Sequence, residues 1–189
     1  MPKLIIGLVG RPGSGKGTVA KILQERYGAH MFRFSAVLSD ILKRLAIESS
    51  RENLVKLSEM LRQAFGEDVL AYAVENDAVS CPSDLVVIDG IRRIQDLAAL
   101  EPLPQFKLVE ISAPAKIRFE RMKSRGEKSG ENSMDWGEFS AQEQAPTEVT
   151  IPAVAARAWK AIDNSGSLAD LEKQLSDMMR ELGVEPKNF

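Results

Sequence analysis

The run Gly10-Arg11-Pro12-Gly13-Ser14-Gly15-Lys16-Gly17-Thr18 combines the residue types that hold a polyphosphate. Glycines let the backbone curl until successive N–H groups point inward at phosphate oxygens. A helix opening at the end of the run adds partial positive charge. Lys16 supplies a full charge for the β- and γ-phosphates. Further along, Asp89 follows the apolar run Leu85–Ile88 and precedes Gly90, Arg92 and Arg93. A carboxylate at the C-terminal end of a buried strand stands where open α/β sheets take their ligands. There it would hold Mg²⁺ through water, while Gly90 lets a bound group approach the backbone. The same Asp89 would also serve as the N-cap of a helix starting at Ile91. Arg118, Arg121 and Arg125 stand at i, i+3 and i+7 and share one helix face. Followed by a polar, glycine-containing loop, such a stripe suits a lid that closes guanidinium groups over a transferring phosphoryl. A charged face of this kind also occurs simply as a solvated helix surface.

These side chains need elements to position them. Leu4–Val9 is nearly continuously apolar, the mark of a strand buried on both faces in a parallel sheet. Val19, Ile22 and Leu23 form a helical stripe that ends at Tyr27-Gly28. The spacing predicts a short strand over Met31–Phe34 and a helix from Ser35 to Ile47, with Val37, Leu38, Ile41, Leu42 and Leu45 on its apolar face. Further helices are expected over Arg51–Phe65 and Asp68–Val79. Leu85–Ile88 reads as a third strand, Ile91–Leu100 as a helix, Phe106–Ile111 as a fourth strand and Ala115–Arg125 as a helix. The stretch Asp135–Arg157 is broken by Pro146 and Pro152, and Ala158–Ile162 reads as a fifth strand. Ser167 and Asp170 form a capping box for a last helix, with Leu168, Leu171, Leu175, Met178 and Leu182 on one side. Alternating strands and helices argue for a parallel sheet between helical layers.

The chain has 189 residues, of which 44% are hydrophobic and 28% charged, enough for one packed α/β domain. That length excludes a dinucleotide-binding dehydrogenase with a substrate domain, and a full AAA+ module with its helical appendage. Net charge is −2, so no nucleic-acid polymer is expected as a partner, and an anionic ligand must be drawn by a local site. One Cys, Cys81, and one His, His30, make neither an internal disulfide nor a zinc site. The apolar run near the N-terminus is too short for a signal h-region or a membrane span, so the expected location is the cytoplasm.

The loop G-x-P-G-x-G-K-G-T resembles that of adenylate kinase and related P-loop nucleoside monophosphate kinases. Asp89-Gly90-Ile91-Arg92 resembles their D-G-x-P-R and, more closely, the D-G-x-R of archaeal and bacterial nucleotide-kinase-like proteins. Phe34-Ser35-Ala36-Val37-Leu38 is similar to the F-S-D-x-L-R of that family. Here, however, Ala36 stands at the Asp position and Ser39 at the Arg position. Asp163-Asn164-Ser165-Gly166-Ser167 resembles a segment beside the donor adenine. The resemblance covers nearly the whole chain and is thinnest between residues 126 and 158.

The resemblance implies a three-layer α/β P-loop NTPase fold, with a five-stranded parallel sheet in the order 2-3-1-4-5, helices on both faces and a small lid. Residues 1–189 would form a single kinase domain, with an acceptor-binding helical segment at 35–80 and the lid at 118–137. Gly10, Gly13, Ser14, Gly15, Lys16, Gly17, Thr18, Arg121, Asn164 and Gly166 would bind ATP, with Thr18 on the α-phosphate. Ser35, Lys43, Arg62, Gly90, Arg92 and Arg93 would bind the acceptor, with Lys43 or Arg44 replacing the arginine missing at Ser39. Lys16, Asp89, Arg121 and Arg125 would carry catalysis, with Asp89 on Mg²⁺ through water. Gly17 leaves the metal without the hydroxyl that this loop usually provides.

The activity implied is transfer of the γ-phosphoryl of ATP to a nucleoside or deoxynucleoside monophosphate. Alternatives are a dephospho-coenzyme A kinase, although Phe34-Ser35-Ala36 lacks the D-A-D-like stretch usual there, and a nucleotide-binding protein without kinase activity. A GTPase switch would need N-K-x-D and D-x-x-G motifs, where the chain has Asn164-Ser165-Gly166-Ser167 and Asp89-Gly90-Ile91-Arg92.

Overall fold

The computed structural model describes residues 1–125 and 133–187, and of residue 125 the backbone alone. At its centre lies β1 (Leu4–Val9), buried along its whole length. It pairs in parallel with β3 (Leu85–Asp89) on one side and β4 (Phe106–Ser112) on the other. Strands β2 (His30–Arg33) and β5 (Lys160–Asp163) form the edges, giving the all-parallel order β2-β3-β1-β4-β5. Alternate residues of one strand feed different cores, which is why the central strands read as unbroken apolar runs. Leu4, Ile6 and Leu8 face α1 (Lys16–Tyr27) and α8 (Leu168–Glu181), in a core with Leu23, Leu171, Leu175 and Met178. Ile5 and Val9 face the opposite layer, with Phe34, Leu38, Leu70 and Val74 from α2 (Phe34–Arg44) and α4 (Val69–Ser80). Part of that layer is α3 (Arg51–Phe65), whose N-cap Ser50 accepts a hydrogen bond from the Asn53 N–H. Helix α1 ends where Gly28 takes the left-handed conformation at φ 67° and returns its N–H to Gln24 and Leu23 carbonyls.

Several local expectations change. No regular α-helix forms over Ile91–Leu100; a single 3₁₀ turn occupies Ile94–Leu97. The reason is Asp96, whose Oδ2 accepts the backbone N–H groups of Arg92 and Arg93 at 3.0 Å and offers that segment an alternative to helical bonding. Phe34 opens α2 rather than ending β2, and α2 stops at Arg44, so Leu45 and Ile47 are left exposed. After α5 (Ala115–Arg125), the proline-broken stretch resolves into α6 (Trp136–Glu143) and α7 (Ile151–Ala155). An Asp135/Glu138 capping box opens α6, and Pro152 sits in the first turn of α7, where its missing N–H costs nothing. The Ser167/Asp170 box opens α8 as expected, but Leu168 in its first turn faces solvent.

Candidate functional site

The phosphate loop lies between the end of β1 and the start of α1. Gly10, Gly13 and Gly15 all take positive φ (156°, 76° and 101°), conformations that side chains resist. Neighbours close in as well. A Cβ at Gly10 would lie 2.2 Å from the Ile111 carbonyl oxygen, and one at Gly15 would lie 2.0 Å from Asn164 Nδ2. Lys16 curls back over the loop, its Nζ donating to the Gly10 carbonyl at 2.6 Å and the Arg11 carbonyl at 3.3 Å. Ser14 is buried beneath the loop, and its Oγ has no hydrogen-bond partner. Space around Gly17 is open, so the missing hydroxyl there is a matter of sequence and not of crowding.

One cleft of about 1010 Å³ runs from this loop to the helices of the 35–80 segment. Gly13, Gly15, Lys16, Gly17 and Thr18 line one end; Ser35, Leu54, Arg62 and Leu70 line the other. Asp89, Gly90, Arg92 and Arg93 lie between them. Asp89 pairs in register with Leu8 of β1 and with Arg33 of β2, at the shared C-terminal edge of the strands. Its Oδ1 is buried without a hydrogen-bond partner, and its Oδ2 stands 3.9 Å from Arg33 Nε.

A carboxylate oxygen left unpaired at the wall of a phosphate cleft fits a hard divalent cation held through water. Mg²⁺ commonly uses one or two carboxylates together with substrate phosphates. The residues present therefore fit the metal, and Asp89 would be its protein contact.

The arginines divide by partner. Arg62 is 6% exposed and its Nη2 donates to Asp96 Oδ1 at 2.7 Å. It also donates to the Glu67 carbonyl and, at 3.4 Å, to Ser58 Oγ. This is a buried ion pair tying α3 to the loop after β3, and Asp96 orders the backbone of Arg92 and Arg93 at the same time. Arg92 is held by the buried carboxylate of Glu148, and its carbonyl accepts from Thr150 Oγ1 at 2.7 Å. Arg93 reaches Glu67 Oε2 at 3.4 Å.

The basic stripe of α5 is not uniform. Arg118 is buried, not poised in a lid. Its guanidinium spans both oxygens of Glu143 on α6 (2.5 and 3.0 Å) and donates to the Pro12 carbonyl at 3.3 Å and the Ala113 carbonyl at 3.0 Å. Arg11 adds a second cation 3.2 Å from Glu143. Arg121, one turn on, keeps a buried Nη1 with no hydrogen-bond partner, and it does not line the cleft. The Arg125 side chain and residues 126–132 of the expected lid, with Gly126 and Gly130, lie outside the described residues.

Burial opposes ionisation of Glu143, but hydrogen bonds and charge from Arg118, with charge from Arg11, outweigh it and hold the carboxyl below its usual 4.5. A carboxyl depressed by folding stabilises fully above its unfolded value and progressively less as pH falls through the folded one. Acid unfolding monitored by circular dichroism checks this. Glu143→Gln is expected to be less stable than the wild type at pH 7, with the two curves converging below about pH 4.5. A constant gap down to pH 3 would count against it.

Three expected contact residues, Lys43, Asn164 and Gly166, stand outside this cleft. Lys43 lies exposed in the last turn of α2, further along the helix than the cleft-lining Ser35 and Leu38, and does not line the cleft. Asn164 is buried behind the phosphate loop, where its Nδ2 donates to the Ser14 carbonyl at 2.8 Å, and Gly166 sits in the turn that opens α8. Neither lines the cleft that runs to the 35–80 helices, and the Asn164 hydrogen bond braces the phosphate loop. Sequence reasoning passed over Arg33, Asp96, Glu143 and Glu148. Arg33 alone had a signal, as a cation inside the short strand expected over Met31–Phe34.

Comparison with known proteins places this geometry among P-loop proteins. The model of the family described as AAA domain matches residues 9–139, from the end of β1 into α6, so the match falls on the nucleotide-binding core. A UPF0200 protein of Thermococcus kodakarensis is 30% identical over 184 residues, covering 95% of this chain and 98% of its own. Among solved structures, a Thermus thermophilus protein superposes with a TM-score of 0.65 at 23% identity. Shikimate kinase from Bacteroides thetaiotaomicron reaches the same TM-score at 12% identity. Each covers 96% of this chain and 99% of the neighbour. At such identities the likeness is one of fold, the P-loop kinase fold. No described helix is long and apolar enough to cross a membrane.

Proposed function

Because the chain belongs to the AAA-domain and UPF0200 families, we propose that its cleft is that of a phosphotransferase, moving the γ-phosphoryl of ATP onto a nucleoside or deoxynucleoside monophosphate. The observation that carries this reading is the continuity of the cleft: a phosphate loop at one end, arginines and an apolar wall at the other, and an unpaired carboxylate oxygen between.

No protein nucleophile is required. An oxygen of the acceptor phosphate attacks the γ-phosphorus in line, the bond to the β–γ bridging oxygen breaks, and ADP leaves with that oxygen. Loop N–H groups hold the β-phosphate, and Lys16 turns from the Gly10 carbonyl to the γ-phosphoryl oxygens as charge spreads over them. Thr18 stands in the cleft for the α-phosphate. Asp89 would hold Mg²⁺ through water, and the metal would supply neutralisation of phosphate charge. On this reading Arg121 and Arg125 are the arginines that would reach the transferring group.

A coupled assay of ATP consumption tests the proposal, with ribo- and deoxynucleoside monophosphates and dephospho-coenzyme A offered in turn. One monophosphate should stimulate turnover, and Lys16→Ala should lose about two to three orders of magnitude of it. Stimulation by dephospho-coenzyme A alone would replace the acceptor. Binding of ATP with no turnover on any acceptor would favour a nucleotide-binding protein without kinase activity.

A further inference from the structure

We propose that Arg33, at the end of β2, anchors the anionic group of the acceptor; this rests on the phosphotransferase reading above and assigns its acceptor end. Arg33 lines the cleft, and its side chain is 55% exposed there. Among the described residues its one charged contact is Asp89 Oδ2 at 3.9 Å, beyond hydrogen-bonding distance. The other cleft arginines are engaged: Arg62 by Asp96 and the Glu67 carbonyl, Arg92 by Glu148, Arg93 by Glu67. An anion entering the cleft would have to break those contacts, whereas Arg33 needs to give up only a long-range attraction.

Position agrees with charge. Strand tips run in the order β1, β3, β2, so Arg33 stands two strand spacings, about 10 Å, from the strand that carries the phosphate loop. That separation leaves the tip of β3, with Asp89, beneath the point of transfer. The next residues, Phe34, Ser35 and Leu38, also line the cleft. An anion at Arg33 therefore meets the Ser35 hydroxyl, while Phe34, Leu38, Leu54 and Leu70 offer an apolar wall to the rest of the molecule.

Calorimetry on the full chain loaded with magnesium and the nonhydrolysable β,γ-imido analogue of ATP tests this. The probes are the ribo- and deoxynucleoside monophosphates and the matching nucleosides. For whichever monophosphate the wild type binds, Arg33→Gln should raise the dissociation constant about tenfold or more, the loss of one charge-assisted hydrogen bond. Binding of the matching nucleoside and of the ATP analogue should stay within about twofold, and Arg33→Lys should recover part of the loss. The proposal is overturned if Arg33→Gln leaves the monophosphate constant unchanged, or weakens nucleoside and monophosphate equally. In both cases the phosphotransferase reading survives. A wild type that binds the ATP analogue but none of the monophosphates overturns both.

Discussion

Asp89→Asn should lower acceptor-stimulated turnover by about two to three orders of magnitude while ATP still binds. The substitution keeps shape and volume and removes only charge. Asp89 closes β3 in register with Leu8, and its Oδ1 is buried with no donor to satisfy it. A buried carboxylate oxygen without a partner is costly unless a ligand completes it. An amide in its place turns either an oxygen of lower charge or an N–H₂ donor toward a hydrated cation, and both weaken the hold on the metal's water. ATP itself is gripped elsewhere, by the Gly10–Thr18 loop and Lys16, so equilibrium binding measured by calorimetry should change far less than turnover. Equal turnover in the variant and the wild type would remove the metal role from Asp89. A parallel titration with Mg²⁺ sharpens the result, since the variant should need more metal to reach half of its residual rate.

The largest expected loss of stability lies away from the phosphate loop. Asp96→Ala should cost about 3–5 kcal/mol, because it leaves the charge of Arg62 buried without a counter-ion. Arg62 and Asp96 are 6% and 3% exposed, so both charges are largely desolvated. The same truncation orphans the N–H groups of Arg92 and Arg93, which no other group in the loop accepts in its place. For a chain of this length that loss corresponds to a fall in melting temperature of roughly 6–20 °C. Lys3→Ala is the control. The Lys3–Asp84 pair is also in direct contact, at 3.0 Å, but is 80% and 72% exposed, and its removal should cost under about 1 kcal/mol. Urea denaturation of both variants measures the difference. Similar midpoints for the two would mean that Asp96 and Arg62 are not the desolvated pair described above.

Buried charge pairs were the part of this protein least legible in its sequence. The Gly10–Thr18 loop was legible because its chemistry is local: the glycines, the lysine and the helix start are neighbours in the chain, and the conformation they require is carried by their own backbone angles. The central strands were legible because burial on both faces leaves an apolar run that periodicity detects, and the order β2-β3-β1-β4-β5 agrees with the family resemblance. The helix expected over Ile91–Leu100 was not, since the apolar residues there have helical spacing while Asp96 captures the backbone at its start. Pattern reports which residues can share a face; it does not report which backbone groups a side chain will take.

The arginines make the same point at longer range. Arg118, Arg121 and Arg125 share a helix face on any count of 3.6 residues per turn, and the sequence alone establishes that much. Glu143, a residue on another helix, decides that Arg118 is a buried anchor behind the phosphate loop. Lys43 and Arg33 were separated in the same way. Both lie near the second strand in sequence, but Lys43 lies exposed in the last turn of α2 and Arg33 lines the cleft beside Asp89. What the sequence by itself determined is a chain with a polyphosphate loop, a strand-end carboxylate and a surplus of arginines around them. Only the tertiary structure decided which arginines are already neutralised, because a guanidinium is free for a ligand or spent on the fold according to carboxylates that arrive from distant parts of the chain.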